Sequence, residues 1–551
     1  MSENLAATSW IPVRDLTGRR HDESLRGAFL QAHELSAVEH PVPIVEAGVW
    51  RLLVAIALDI FRPTTTDDLA DMLAEGKFDQ DAVEKYFDRN LADFELFSAK
   101  RPFLQDATAG GEEKSIAALL PSRPSGTNAV HWQHGREEGF AVTPAEAALL
   151  LTTIAPFMTA GGAGLAPSIN GAPPWYVMIL GRTLFESIVL NLWVQAEHPD
   201  LKRGDPAWRR KGPLETTERR VSTTLLEGLT WMPRRIKLIP GPGGRSALSG
   251  EQRPVLVHRM YFTAGQSCAF EWPAWVDPNV AYSISKERVT PVRPQEDKEP
   301  WRDAGALALL DQRTSSDVRR SVRPAIISQF ARMAQDDPEL DGGSLRIRLY
   351  GMRTDLKMKV FEWYREQLAL PLPLVLRSEL ALRLLKAIED GDEVRKALRR
   401  SLETAVTSDT HTGDTHTAEG EASALVAIAT RMFWPALEQP FFNLARILAG
   451  MAEAKAVLLD EAMSDWRTVL SRTAKTAFDA ATRGLRRDAQ RLIAIERGRD
   501  RLTRELWRSA RPPTEDDQGG SSKGRSPTGV SPDGGAPPSA RRPRPISRSR
   551  P

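Results

Sequence analysis

The spacing of apolar and polar positions changes character along the chain. Near the N-terminus, "SWIPVRDLTGRRHDESL" alternates around a turn at Gly18, which predicts a hairpin. A helical period follows. Pro43 opens a helix that runs to Phe61, and "TTDDLADMLAEG" and "DQDAVEKYFDRNLADF" are short amphipathic helices with Thr or Asp at their starts. Thr143, Pro144 and Glu146 form a capping box for a helix ending near Pro156. Thr183 and Glu186 form a second box, after the strand-like run "PWYVMIL". Between 230 and 350 the pattern is mixed: "RRIKLI", "PVLVHRMYF" and "SLRIRLY" alternate like strands, and "DVRRSVRPAIISQFARMAQ" is a helix kinked or started at Pro324.

From about Phe361 the texture becomes Ala/Leu/Arg-rich and helical, with few glycines. Four segments stand out, at 361–388, 392–407, 421–454 and 457–508, the third bent or broken at Pro435 and Pro440. They predict an antiparallel helical bundle. The fold class expected is therefore α+β: a large mixed α/β N-terminal domain over 1–360, then a C-terminal four-helix bundle over 361–508. The insert "SDTHTGDTHTAEGE" joins two bundle helices. The segment 509–551 is a Pro/Ser/Gly/Arg-rich tail whose composition predicts disorder.

Composition narrows the classes. A chain of 551 residues is too long for one core. With 41% apolar and 26% charged residues it has the balance of a soluble globular protein, and its net charge of +2 singles out no partner. The single cysteine, Cys268, excludes a disulfide framework and a cysteine-based zinc site. "MSENLAATSW" lacks the pattern of a signal peptide. The longest apolar stretch, Ile44 to Phe61, carries Glu46, Arg51 and Asp59, so it predicts a core helix and no membrane span. The cytoplasm is the expected compartment.

One stretch invites chemistry: "TAGGAGLAPSINGAPP", residues 159 to 174, has four glycines and three prolines. It is not a P-loop, since Ala166 and Pro167 stand where Gly and Lys would be needed. It is not a dinucleotide fingerprint, since Pro167 occupies the third glycine slot and a strand follows. No G-x-S-x-G or H-E-x-x-H occurs. His411 and His416, in the repeat "DTHTGDTH", have a spacing that fixes no metal geometry, and His131 and His134 lack orienting carboxylates. No catalytic residues, metal or cofactor are expected, so function must come from binding.

Several stretches, taken in order, resemble one family: CasA, the large subunit of the type I-E CRISPR surveillance complex Cascade. They are "WIPV", "AGVWRLLVAIAL", "FELFSAKRPFLQ", "SGTNAVHWQ", "GGAGLAPSINGAPPWYV", "EGLTWMPRRIKLIP", "WPAWVDPN" and "LYGMRTDLKM". Their order and spacing follow the family over residues 8 to about 508. The resemblance implies the same two-part fold and a non-enzymatic role. A subunit of this kind recognises the protospacer-adjacent motif (PAM) in duplex DNA, promotes strand separation and R-loop formation, and helps recruit a helicase-nuclease. The partners implied are the other Cascade subunits, the crRNA 5′ handle, double-stranded target DNA with its PAM and the displaced DNA strand, with no membrane.

Carried over residue by residue, Gly161, Gly162 and Ala163 form the PAM-binding glycine loop. Thr127, Asn128 and His131 fall in the crRNA-handle loop. The turn Gly351, Met352, Arg353, Thr354, Asp355, Leu356 and Lys357 occupies the position of the family's wedge. The chain departs from the family at three points: no cysteine cluster lies in "LIPGPGGRSALSGEQ", Leu356 fills the wedge-glutamine slot, and no lysine stands between Thr263 and Gln266. Separately, eleven Lys/Arg against five Asp/Glu between Arg472 and Arg508 suggest a face for single-stranded DNA. Arg483, Arg487 and Arg491, spaced i, i+4, i+8, are expected on one face of the last bundle helix. The alternatives are a free-standing nucleic-acid enzyme with an unrecognised site and a helical adaptor without DNA contact.

Overall fold

The computed structural model describes residues 3–120, 139–161, 164–197, 200–270, 274–285, 288–295, 298–303, 312–313, 320–337, 340–354, 360–406, 415–451, 456–485 and 488–510. Local signals account for most elements of its first half. Gly18, at φ +90°, turns the hairpin Ile11–Asp15 to Arg20–Glu23, and Leu35–Val38 pairs with the other edge of Ile11–Asp15. The helix Pro43–Phe61 has proline at its start and is buried over nearly all its length. Its Trp50 lies in the first apolar core, which also contains Trp10, Phe87, Phe94 and Phe185. Capping boxes close the starts of Thr66–Glu75 and Pro144–Thr152. The box expected at Thr183 is half formed. Thr183 accepts the Glu186 N–H at 3.1 Å, but the Glu186 carboxylate accepts the Arg182 N–H at 2.6 Å instead of reaching back to Thr183.

Two three-stranded antiparallel sheets frame the middle of the chain. In one, Gln252–Ala264 lies between Glu113–Ser115 and Arg234–Arg245. In the other, Ser344–Thr354 lies between Tyr176–Ile179 and Val360–Pro371. Pro324 precedes the helix Ala325–Asp336, so the helix starts there, and Arg320–Val322 before it is a strand rather than more helix.

The largest correction falls at the expected start of the bundle. Val360–Pro371 is a strand, not helix, because Ser344–Thr354 supplies a complete partner edge, from Ser344 opposite Pro371 to Thr354 opposite Val360. The C-terminal helices also divide differently. Ser378–Val406 is one helix across Gly391, joining residues expected in two segments. Thr415–Gly450 runs through Pro435 and Pro440 without a break. Each proline removes a backbone donor, but Phe433, Trp434, Leu437 and Phe441 are fully buried on that helix and hold it in place. The expected segment 457–508 is two helices, Ala456–Thr482 and Ala489–Ala510. Asp488 starts the second, its carboxylate accepting the Arg491 N–H at 2.8 Å.

These four long helices share a second apolar core with the sheet of Tyr176–Ile179. Val177, Ile347, Leu370 and Trp301 belong to the same cluster as Leu384, Leu402, Trp434, Phe441 and Leu470. No helix among the described residues is long and apolar enough to cross a membrane.

Candidate nucleic-acid interface

The glycine stretch joins the helical turn Ile154–Phe157 to the strand Tyr176–Ile179. Because that strand runs antiparallel to Ser344–Thr354, with Tyr176 opposite Tyr350, its beginning lies toward the Thr354 end of that strand, four residues short of it. One sheet end therefore receives both the exit of the glycine stretch and the start of the connection 355–359, which lies outside the described residues.

The glycine stretch is fixed from below. Ser168 N–H donates to Met158 O at 2.7 Å, closing its base, and Gly161 N–H donates to Leu165 O at 3.0 Å, closing its tip. Gly161 is exposed, with its N–H engaged. Gly162 and Ala163 lie outside the described residues. The need for glycine by conformation rests at Gly164, φ +80°, and Gly171, φ +75°, where a side chain would be strained.

The outgoing limb rests on a buried polar network. Asn170 donates to Asp277 Oδ2 at 2.9 Å and to the Tyr176 hydroxyl at 3.2 Å, and accepts from Trp275 Nε1 at 2.8 Å. Arg51, from the long N-terminal helix, meets Asp277 through both terminal nitrogens at 3.1 and 2.8 Å and lies over the Tyr176 ring. Burial by itself would lower the Arg51 guanidinium, but Asp277 and Tyr176 outweigh it and hold it above its usual value. Burial also pushes the Tyr176 hydroxyl up, so it stays protonated and donates to Pro156 O at 2.9 Å. Hydrogen bonds to the remaining polar atoms favour an ion pair removed from water: Asn170 and the Asn279 N–H serve Asp277, while Arg51 Nε stays without a partner among the described residues.

The incoming limb hangs from Arg234, which is 2% exposed. Its guanidinium donates to Thr159 O at 2.7 Å, to Ala166 O and to Pro233 O at 2.8 Å. Burial pulls it down to about 10, leaving it charged at neutral pH. Sequence reasoning missed Arg234, though a signal exists: in "RRIKLI" it shares the inward register with Ile236 and Leu238, a charge at a position that should be apolar. Asn170, Asp277 and Arg293 were missed as well, since their partners are distant in sequence.

The expected wedge is divided. Gly351, Met352, Arg353 and Thr354 are strand, not turn, paired with Tyr364, Trp363, Glu362 and Val360. Asp355, Leu356 and Lys357 lie outside the described residues. Gly351 is required by packing, since a Cβ there would sit 2.6 Å from the ring of Trp175, the residue that follows the glycine stretch. The hairpin is tied to the long N-terminal helix by fully buried Glu46, which receives Arg348 at 3.0 Å, Arg365 at 2.7 Å and the Tyr350 hydroxyl at 2.6 Å. Between Thr263 and Gln266, where no lysine stands, Gln266 is engaged internally with Met232 and Glu227.

Thr127, Asn128 and His131 lie outside the described residues. The arginine stripe does not form as expected. Arg483 follows the end of its helix, Arg487 lies outside the described residues, and Arg491 is on the next helix, bound to Val406 O and to Glu421, both at 3.0 Å. The i, i+4, i+8 spacing places residues on one face only while the helix is continuous, and it ends at Thr482. Among the described residues no group of three His, Cys, Asp or Glu side chains is placed to hold a metal ion.

Residues 4–477 match the family described as CRISPR-associated protein Cse1. A CasA/Cse1 protein from Thermus thermophilus is 28% identical over 537 residues, covering 91% of this chain and 97% of the relative. The crystal structure of CasA from Thermus thermophilus superposes with a TM-score of 0.73 at 25% identity, covering 92% of this chain and all of that one. A chain from a structure described as a CRISPR RNA-guided surveillance complex superposes with a TM-score of 0.69 at 22% identity, covering 91% of this chain and 99% of that one.

Proposed function

Because the chain belongs to the CRISPR-associated Cse1 (CasA) family, we propose that it is the large subunit of an RNA-guided surveillance complex and reads the PAM in duplex DNA. The observation that carries the reading is the pairing of Tyr176–Ile179 with Ser344–Thr354, which brings the glycine stretch and the hairpin connection to one sheet end. A duplex seated there would meet a loop poor in side chains and a hairpin next to it. The minor groove is about 6 Å wide, and a bare backbone can reach base edges in it. Its donor and acceptor code is degenerate, so such a loop tolerates more than one PAM.

The hairpin connection would then enter the neighbouring base step. Leu356 there would act as an apolar wedge, offsetting part of the few kcal/mol that unstacking a step costs. Opening the duplex lets the guide RNA pair and the R-loop grow. The subunit contributes position and electrostatics in this reading and carries out no bond chemistry itself. The loop with Thr127, Asn128 and His131 would contact the crRNA 5′ handle, by the resemblance. The other subunits and a recruited helicase-nuclease complete the partners.

The test uses the assembled complex. Leu356→Gly is expected to slow R-loop formation on closed duplex and to spare a target that already contains a bubble. Equal slowing on both substrates would remove the hairpin from strand separation.

A further inference from the structure

Two arginines grip the glycine stretch, one on each limb, and both do so through backbone carbonyls. Arg234 holds Thr159 O and Ala166 O on the incoming side. Arg293 holds Ala172 O at 3.0 Å and Asn170 O at 3.5 Å on the outgoing side. Neither makes an ion pair among the described residues. That is unusual. A buried guanidinium normally meets a carboxylate, because removing a charge from water is costly. Arg51, a short distance along the same network, follows the rule with Asp277.

The carbonyl contacts have a geometric consequence. A planar guanidinium presents its donors as a rigid fork. Arg234 therefore fixes the separation of two carbonyls seven residues apart, and with it the opening of the loop between them. Arg234 is itself fixed, since it begins the strand Arg234–Arg245 opposite Ala264, and its guanidinium lies over the Phe262 ring. Arg293 follows the strand Arg288–Pro291, and the adjoining Val292 accepts the Trp175 N–H at 2.9 Å. The two holding points thus stand on different sheets, so the loop spans them as a bridge rather than hanging from one.

The contacts also have an electrostatic consequence. Carbonyl dipoles solvate a cation without cancelling its charge, and among the described residues no carboxylate is paired with either guanidinium under the loop. A low-dielectric surround keeps the field of such a cation from being screened as it would be in water.

We propose that Arg234 and Arg293 are positioning residues for duplex recognition: they hold the two limbs of the glycine loop open and supply the uncancelled charge that seats a duplex phosphate backbone over it. This rests on the reading of the loop as the PAM reader. Arg234 acts mainly through loop shape, because it is enclosed. Arg293, which is half-buried, contributes to both shape and charge.

The experiment uses the complete complex with its crRNA, carrying Arg234→Gln, Arg234→Lys, Arg293→Gln or, as the control for the loop itself, Gly162→Asp. Two probes are compared, a closed duplex with a PAM and the same duplex with a pre-opened bubble. Both glutamine variants are expected to weaken closed-duplex binding about tenfold, the scale of one lost specific contact, and to change bubble binding less than about twofold. Arg293→Gln should also reduce the slope of log K against log salt by about 0.9, one phosphate contact. Arg234→Lys keeps the charge but loses the fork, and should fall between the parent and Arg234→Gln.

If both glutamine variants bind closed duplex like the parent while Gly162→Asp is impaired, the loop reading stands and the two-arginine inference is overturned. Equal loss on the closed and the bubbled duplex overturns it too, since that marks general damage. A neutral Gly162→Asp overturns the underlying loop reading. Should Arg234→Gln fail to assemble, Arg293→Gln decides, because its side chain is not enclosed.

Discussion

Around the glycine stretch the buried residues that decide the shape are polar: Arg51, Asn170, Arg234 and Asp277, bonded to one another or to carbonyls. In the four long C-terminal helices the buried positions are apolar except for a few such as Ser401 and Thr482, with Leu and Ala the commonest, and the charges pair on the outside, as Arg499 does with Asp479 at 2.9 Å and Arg400 with Glu505 at 3.0 Å. The contrast follows from the backbone. A helix satisfies its own N–H and C=O groups and needs only apolar contact to be placed. An irregular stretch rich in Gly and Pro leaves its carbonyls open, and buried side chains must satisfy them. Strength at the loop is concentrated in a few side chains, while in the helices it is spread over many.

The sharpest way to break this contrast is Asp277→Ala. It leaves Arg51 buried without its carboxylate and removes an acceptor from Asn170, so a loss of ~3–5 kcal/mol is expected in denaturant unfolding. A loss near that of a surface change would show that the network does not hold the loop. Next comes Leu402→Ala in the first long helix, fully buried in the second core. It should cost ~2–5 kcal/mol through lost burial and a cavity, and leave PAM-duplex binding by the assembled complex unchanged.

Gly162→Asp reverses that pattern. Binding of PAM duplex by the complex should weaken by ~1–3 kcal/mol, with the unfolding midpoint and crRNA binding unchanged. A loop fixed from below tolerates a change at its tip. The smallest effect belongs to the surface of the helices. Burial pushes the Glu505 carboxyl up, but hydrogen bonds from Arg400 and Arg501 outweigh this and hold it below the usual carboxylate range. A carboxyl lowered on folding stabilises the protein above its ordinary value of ~4.3 and loses that contribution as the pH falls through its folded value. Glu505→Gln should therefore cost only ~0.2–1 kcal/mol at neutral pH, and the difference from the parent should vanish in acid. A cost as large as that of Asp277→Ala would erase the distinction between the two regions.

The sequence by itself determined what is local. Thr65 with Asp68 and Thr143 with Glu146 cap the helices that follow them, Gly18 turns the first hairpin, and Pro324 sets a helix start, because these signals act within a few residues of the backbone they shape. The resemblance of ordered motifs reached the family for a related reason, since each motif keeps its local form. Only the tertiary structure decided the rest. Val360–Pro371 became a strand because its partner edge was already present, and Thr415–Gly450 stayed one helix across two prolines because Trp434 and Phe441 are locked in the core. The arginine stripe failed because Asp488 restarts the helix after Gly484. Arg234 and Asp277 acquired their roles from carbonyls and side chains 68 to 226 residues away. No periodicity encodes such partners. Satisfying a buried polar group depends on which atoms the finished fold brings within about 3 Å of it.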